Sequence, residues 1–142
     1  MNTKTILGTI AGGVAFFLSG WLIYGIILEN LMKNEDPNGF MRPDGNYIWW
    51  ALIAGNFVWG FFLTWIMQSR NETGWQKGMM TGLVVGVCTG LAFDLGMYAM
   101  SNLFSEFGPV FIDVIANTLL YVIAGAVIGL VLGSNQKEAN AS

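Results

Sequence analysis

The chain has 142 residues, 54% of them hydrophobic and 11% charged, with no histidine and a formal net charge of −3. That balance suits lipid rather than water. Without an imidazole there is no His-ligated haem, no His-based zinc or iron site and no His-activated nucleophile. The slight negative charge, with no basic patch, excludes nucleic acid as a partner.

Cys88 is the one cysteine, so no intramolecular disulfide forms. No cofactor is called for. An enzyme would have to run on Asp, Tyr and Asn alone, and the chain is not expected to be one.

A bilayer-crossing helix needs about 20 mostly apolar residues, and four such stretches occur, at 6–28, 48–67, 78–100 and 110–132. The expected fold is an all-α integral membrane protein with a single membrane domain in the lipid bilayer. Its four transmembrane helices form a bundle of two antiparallel helical hairpins.

The first span follows Lys4. Its apolar run is too long for a signal-peptide core, and no small-x-small cleavage site follows it, so it reads as a retained helix. Gly8, Gly12, Gly20 and Tyr24 fall in one i, i+4 row, with Phe16 at the remaining step.

Residues 29–47 form the long outer loop. Its tetrads Asp36-Pro37-Asn38-Gly39 and Arg42-Pro43-Asp44-Gly45 both place Pro second and Gly fourth, the pattern of tight turns. The loop lacks the ligand spacing and closing glutamate of a calcium loop, so it reads as a connector.

The second span opens on Tyr47, Trp49 and Trp50 and closes near Trp65, as interfacial aromatic belts do. Inside it Asn56, Gly60 and Thr64 share a row. Residues 68–77 make a short polar turn. It includes the sequon Asn71-Glu72-Thr73, which is discounted because the turn is expected to face the cytoplasm.

The third span carries the pattern around which the chain is organised. Gly78, Gly82, Gly86 and Gly90 recur at every fourth position, and the same register delivers Asp94 and Tyr98. Such a row drifts by roughly 40° per step. In water each glycine costs about 1 kcal/mol of helix propensity relative to alanine. Close backbone approach is the compensating gain in lipid, where helices associate through packing.

Gly8 and Gly82, Gly12 and Gly86, and Tyr24 and Tyr98 stand at one constant interval, which suggests two related halves. The fourth span reverses the order, with Asp113, Asn117 and Tyr121 first and Gly125, Gly129 and Gly133 afterwards.

Antiparallel third and fourth spans put their glycine halves at one depth and their polar halves at the other. At about 1.5 Å per residue, Asp94 lies roughly 9 Å below the outer edge and Asn56 and Asn117 at about 9 to 12 Å. Tyr24 and Ser19 reach the same layer. With Tyr98 and Tyr121 these are the candidate ligand or proton-site residues.

An ionised carboxylate there costs about 2.5 to 3.5 kcal/mol, and no Lys or Arg lies at that depth. Asp94 is therefore expected as a carboxylic acid sharing hydrogen bonds with Asn56, Asn117 or a tyrosine hydroxyl. The same layer also reads as interhelical glue, worth about 0.6 kcal/mol per contact. Asp113 reads most simply as an acid complementing the dipole at the start of the fourth helix.

Lys4, Arg70, Lys77 and Lys137 outnumber Lys33 and Arg42 on the opposite side, which puts both termini in the cytoplasm. Through Gly20-Trp21-Leu22-Ile23-Tyr24-Gly25 and Leu103-Phe104-Ser105-Glu106 the chain resembles the small four-span bacterial membrane proteins of unassigned function. That resemblance implies a bacterial inner-membrane location and brings no catalytic residues.

Two functions follow. The first is a non-catalytic component that docks through its glycine rows into a homo-oligomer or a larger membrane complex. The second is a small transporter or ligand-binding protein that uses the Asp94 layer for a small polar solute or proton. The lack of a soluble domain or basic site favours the first.

Overall fold

In the computed structural model, which describes residues 3–29, 42, 45–104 and 106–139, every regular element among the described residues is a helix. Helix α1 (Thr3–Leu22) runs into a π-helical turn (Ile23–Ile27) and is followed by α2 (Trp49–Ser69), α3 (Trp75–Met100) and α4 (Phe107–Ala139). Four segments are long and apolar enough to cross a membrane, namely Thr3–Ile27, Trp49–Ser69, Trp75–Met100 and Phe107–Ser134. Most of the 29–47 connection lies outside the described residues, including the tetrad at 36–39 and Pro43 and Asp44 of the second. Ser105 lies outside them too.

The helices outlast the apolar stretches. Helix α3 begins at Trp75 rather than 78, and α4 covers Phe107–Ala139 rather than 110–132. Backbone hydrogen bonding continues through polar flanks at which hydropathy stops. Pro109 is accommodated because it falls in the first turn of α4, where its missing N–H has no helical acceptor.

The turn between α2 and α3 is set by backbone chemistry. Asn71 takes a left-handed conformation with φ 53°. The Asn71 N–H donates to Gln68 O at 3.0 Å and the Glu72 N–H to Met67 O at 2.8 Å. These two bonds make a Schellman closure of α2. Glu72 is then held by Arg70 Nε at 2.9 Å and by the Thr81 hydroxyl, which donates to it. Gly74 follows with φ 91° and ψ 150°, a conformation only glycine adopts readily, and its N–H donates to Gly129 O of α4 at 2.8 Å.

From there α3 and α4 run with their backbones in contact. A Cβ at Gly78 would overlap the carbonyl of Gly125, one at Gly82 the carbonyl of Tyr121, and one at Gly129 the carbonyl of Gly74. At Gly86 it would meet Thr118 Cα at 2.9 Å, and at Gly90 the Asn117 amide at 3.0 Å. Gly133 lies at the margin, 3.3 Å from Gly74 N.

Helix α1 makes comparable approaches elsewhere. A Cβ at Gly8 would meet Thr64 at 2.6 Å, one at Gly12 would meet Ile128 at 2.7 Å, and one at Gly60 would meet Thr9 O at 2.7 Å. Gly20 takes no part in packing, since a Cβ there meets nothing within 4 Å. Its row has drifted off the contact face by that step.

The packing order is therefore α3 on α4, α4 on α1 and α1 on α2, while α2 and α3 barely touch. Phe16, Leu63, Met67, Tyr121, Ala124, Ile128 and Leu132 form the core where α1, α2 and α4 meet. Small and polar side chains point inward, among them Thr5, Ser19, Thr64, Thr81 and Asp94, whereas Trp50 is 75% and Phe93 65% exposed.

Gly78→Ala is expected to destabilise the fold by about 1 to 3 kcal/mol or more, because a methyl group is forced into a backbone carbonyl that has nowhere to move. Gly96→Ala, where a Cβ meets open space, should be neutral or stabilising by up to about 1 kcal/mol. Thermal unfolding of the two detergent-solubilised variants measures the contrast.

Candidate functional site

Because α2 and α3 diverge, a cleft remains between them, and α4 closes its floor. It forms a cavity of about 520 Å³ near the end of the bundle opposite the α2–α3 turn. Its polar lining comes from Asn56 of α2, Thr89 and Asp94 of α3, and Asp113, Asn117 and Tyr121 of α4. Phe16, Trp59 and Phe93 supply aromatic walls.

The register set by the glycines delivers the acids. With Gly78 opposite Gly125, Gly82 opposite Tyr121 and Gly90 opposite Asn117, the next step along antiparallel helices brings Asp94 to Asp113. The two carboxyls become neighbours in the cavity wall, and the π-helical turn brings the Tyr24 hydroxyl beside Asp113. Two carboxylates side by side in a lining with neither Lys nor Arg repel each other, so ionisation of both is disfavoured and the pair retains a proton. Asp94 is 1% exposed, and its Oδ2 has no hydrogen-bond partner.

The other polar groups are engaged differently. Asn117 Nδ2 donates to Gly86 O at 2.9 Å and lies 3.4 Å from Thr89 Oγ1, tying α4 to the α3 backbone. Asn56 Nδ2 donates to Leu52 O of its own helix at 2.8 Å. Tyr121 is buried, with its ring edge-on to Phe16 at 4.9 Å and to Trp59 at 5.6 Å between centroids.

Asp94, Asn56, Asn117 and Tyr121 thus share one cavity, and Tyr24 reaches it through Asp113. Ser19 does not line it, and its hydroxyl is spent on the carbonyl of Ala15. Tyr98 also lies outside, exposed and packed against Phe107 at 5.4 Å. One more turn along the drifting row has carried it off the cleft.

Two expectations need correction. The Asn56 and Asn117 amides donate to the backbone carbonyls of Leu52 and Gly86 and not to Asp94, whose polar neighbour across the helix pair is Asp113. Asp113 is also not a helix-start acid. Helix α4 begins at Phe107 and has no acid in its first turn, and the dipole's influence fades beyond that turn. Continuing the glycine register past Gly90 is the signal that would have paired the two acids from sequence. Thr89 and the aromatic walls carried no such signal, because their side of the cleft depends on how far α2 leans from α3.

No protein family, curated protein or solved structure matches the chain. The chemistry of the cavity therefore carries the functional reading.

A shared proton on the acid pair should appear in the infrared as the carbonyl stretch of a carboxylic acid at neutral pH. Asp94→Asn, whose amide donates to Asp113 in place of that proton, should abolish the band and leave the unfolding temperature within a few degrees. Persistence of the band in the variant would mean that the proton resides elsewhere.

Proposed function

We propose that the chain is an integral membrane protein, two antiparallel hairpins inserted in a bacterial inner membrane, that binds and moves a small solute through the cleft between α2 and α3. The observation that carries this reading is the cavity itself. It is roomy enough for a small organic molecule and holds an acid pair in which Asp94 is buried with one carboxylate oxygen unpartnered and Asp113 is half-buried.

Membrane insertion is supported by four helices of sufficient length and apolarity. It is supported further by the many large apolar side chains left exposed, such as Leu18, Trp50, Val58 and Phe93, while Thr5, Ser19, Thr64, Thr81 and Asp94 are buried. Lys4, Arg70 and Lys77 gather at the end away from the cavity. Both termini are accordingly assigned to the cytoplasm, and the cavity to the outer half of the bilayer.

The alternative, an accessory or self-associating subunit, drew on glycine rows free to dock a partner. Those of α1, α3 and α4 are largely consumed within this chain. Geometry consequently favours the solute reading. The acid pair favours it as well, since ionisable groups at membrane depth add little to stability and mark a pathway or binding site.

Native mass spectrometry of the protein extracted from its own membrane is expected to show a small molecule that Gly55→Trp loses and that Asp94→Asn retains at reduced occupancy. Gly55 lines the cavity, and a Cβ there meets nothing within 4 Å, so the indole fills the space without disturbing helix contacts. A larger complex unaffected by either substitution would instead restore the accessory reading. A reporter that functions only in the cytoplasm, fused after Ser142, should be active; inactivity would reverse the assigned orientation.

A further inference from the structure

On the reading that this cavity takes a small solute, we infer that its ligand is a monovalent amphipathic organic cation, an ammonium group carried on an apolar or aromatic body. The lining contains two acids and neither Lys nor Arg. Two neighbouring carboxyls of which one ionises carry one net negative charge, which is costly to leave uncompensated at membrane depth. A second proton or one monovalent cation removes that charge. The unpartnered, fully buried Oδ2 of Asp94 is the acceptor left open for either.

The walls select among cations. Trp59, Phe16 and Phe93 line the space, and aromatic rings attract an ammonium ion most strongly when it is desolvated. A divalent metal would want several more oxygens than the pair supplies, and among the described residues no group of three or more His, Cys, Asp or Glu side chains could hold one. The cleft opens sideways between α2 and α3, which barely touch. In a bilayer that opening faces lipid, so the ligand arrives laterally and must partition there.

The titratable groups facing the pair are few. Asp94 comes from α3, Asp113 and Tyr121 from α4, and Tyr24 from the π-helical turn. Helix α2 presents Asn56 and Trp59, and α1 presents Phe16, none of which ionises. Cation and second proton therefore compete for one charge. Binding one cation to the doubly protonated pair releases one proton, and affinity falls as the medium is acidified.

The test uses purified full-length protein in lipid nanodiscs and calorimetric titration with benzyltrimethylammonium, its neutral carbon isostere neopentylbenzene, and benzenesulfonate. The cation should bind at least about tenfold tighter than the isostere, a factor that one desolvated cation–aromatic contact supplies. The sulfonate should not bind, and cation affinity should drop on acidification. Asp94→Asn or Asp113→Asn alone leaves one acid to ionise and weakens binding, whereas the double variant should lose it.

Equal binding of cation and isostere, with no pH dependence, would overturn the cation assignment while leaving the cavity reading intact if Gly55→Trp blocks both. Failure of cation and isostere alike to bind the wild-type protein would overturn both. The isostere comparison and the pH dependence are both read on the wild-type chain and do not depend on the double variant folding.

Discussion

The contact of backbone on backbone between α3 and α4 is the constraint from which the rest of the structure follows. Where Gly78 faces Gly125 and Gly129 faces Gly74, any Cβ would overlap a carbonyl, so neither helix can rotate or slide without losing the fit. The Gly74 N–H to Gly129 O bond locks the same register from the turn. A fixed register at the glycine end fixes what meets at the other end. Asp94 is delivered to Asp113, and Asn117 to the carbonyl of Gly86.

The cavity is the complement of that fit. Glycine-to-glycine packing holds α3 on α4, and similar approaches hold α1 on both α2 and α4, but no seam of small residues joins α2 to α3. A short connection keeps α2 and α3 together at one end, and they are free to part towards the other. Stability is concentrated in the core of Leu63, Met67, Ala124 and Ile128. The acid pair contributes little to it, since burying ionisable groups is at best neutral for folding.

Much of the fold was legible because its signals are periodic. Apolar runs marked the helices, and the i, i+4 glycines of the third and fourth spans marked the faces that meet. Helix ends were less legible, because Trp75 and Phe107 begin their helices through backbone hydrogen bonding that hydropathy does not register. The acidic centre was half legible. Asp94 stood out as a lone acid in an apolar helix, but Asp113 sat near enough to the start of its helix to be explained by the dipole. Only the antiparallel register joins the two. The cleft itself was not legible, because it arises from contacts that α2 fails to make.

The π-helical turn shows where sequence likeness and geometry separate. Tyr24 and Tyr98 stand at the same interval as Gly8 with Gly82 and Gly12 with Gly86, yet their surroundings share nothing. The Leu28 N–H reaches back to Ile23 O at 2.8 Å, the wider i to i−5 closure that shifts the helix face and is often found at functional sites. It occurs in the segment that brings the Tyr24 hydroxyl to Asp113. Helix α3 has no such turn, and Tyr98 lies against Phe107 in the open. The matching glycines differ in the same way, with Gly12 packed against Ile128 and Gly60 while Gly86 meets Thr118. What the two segments have in common is the spacing that close helix packing demands, and the polar centre depends on the point at which α1 departs from it.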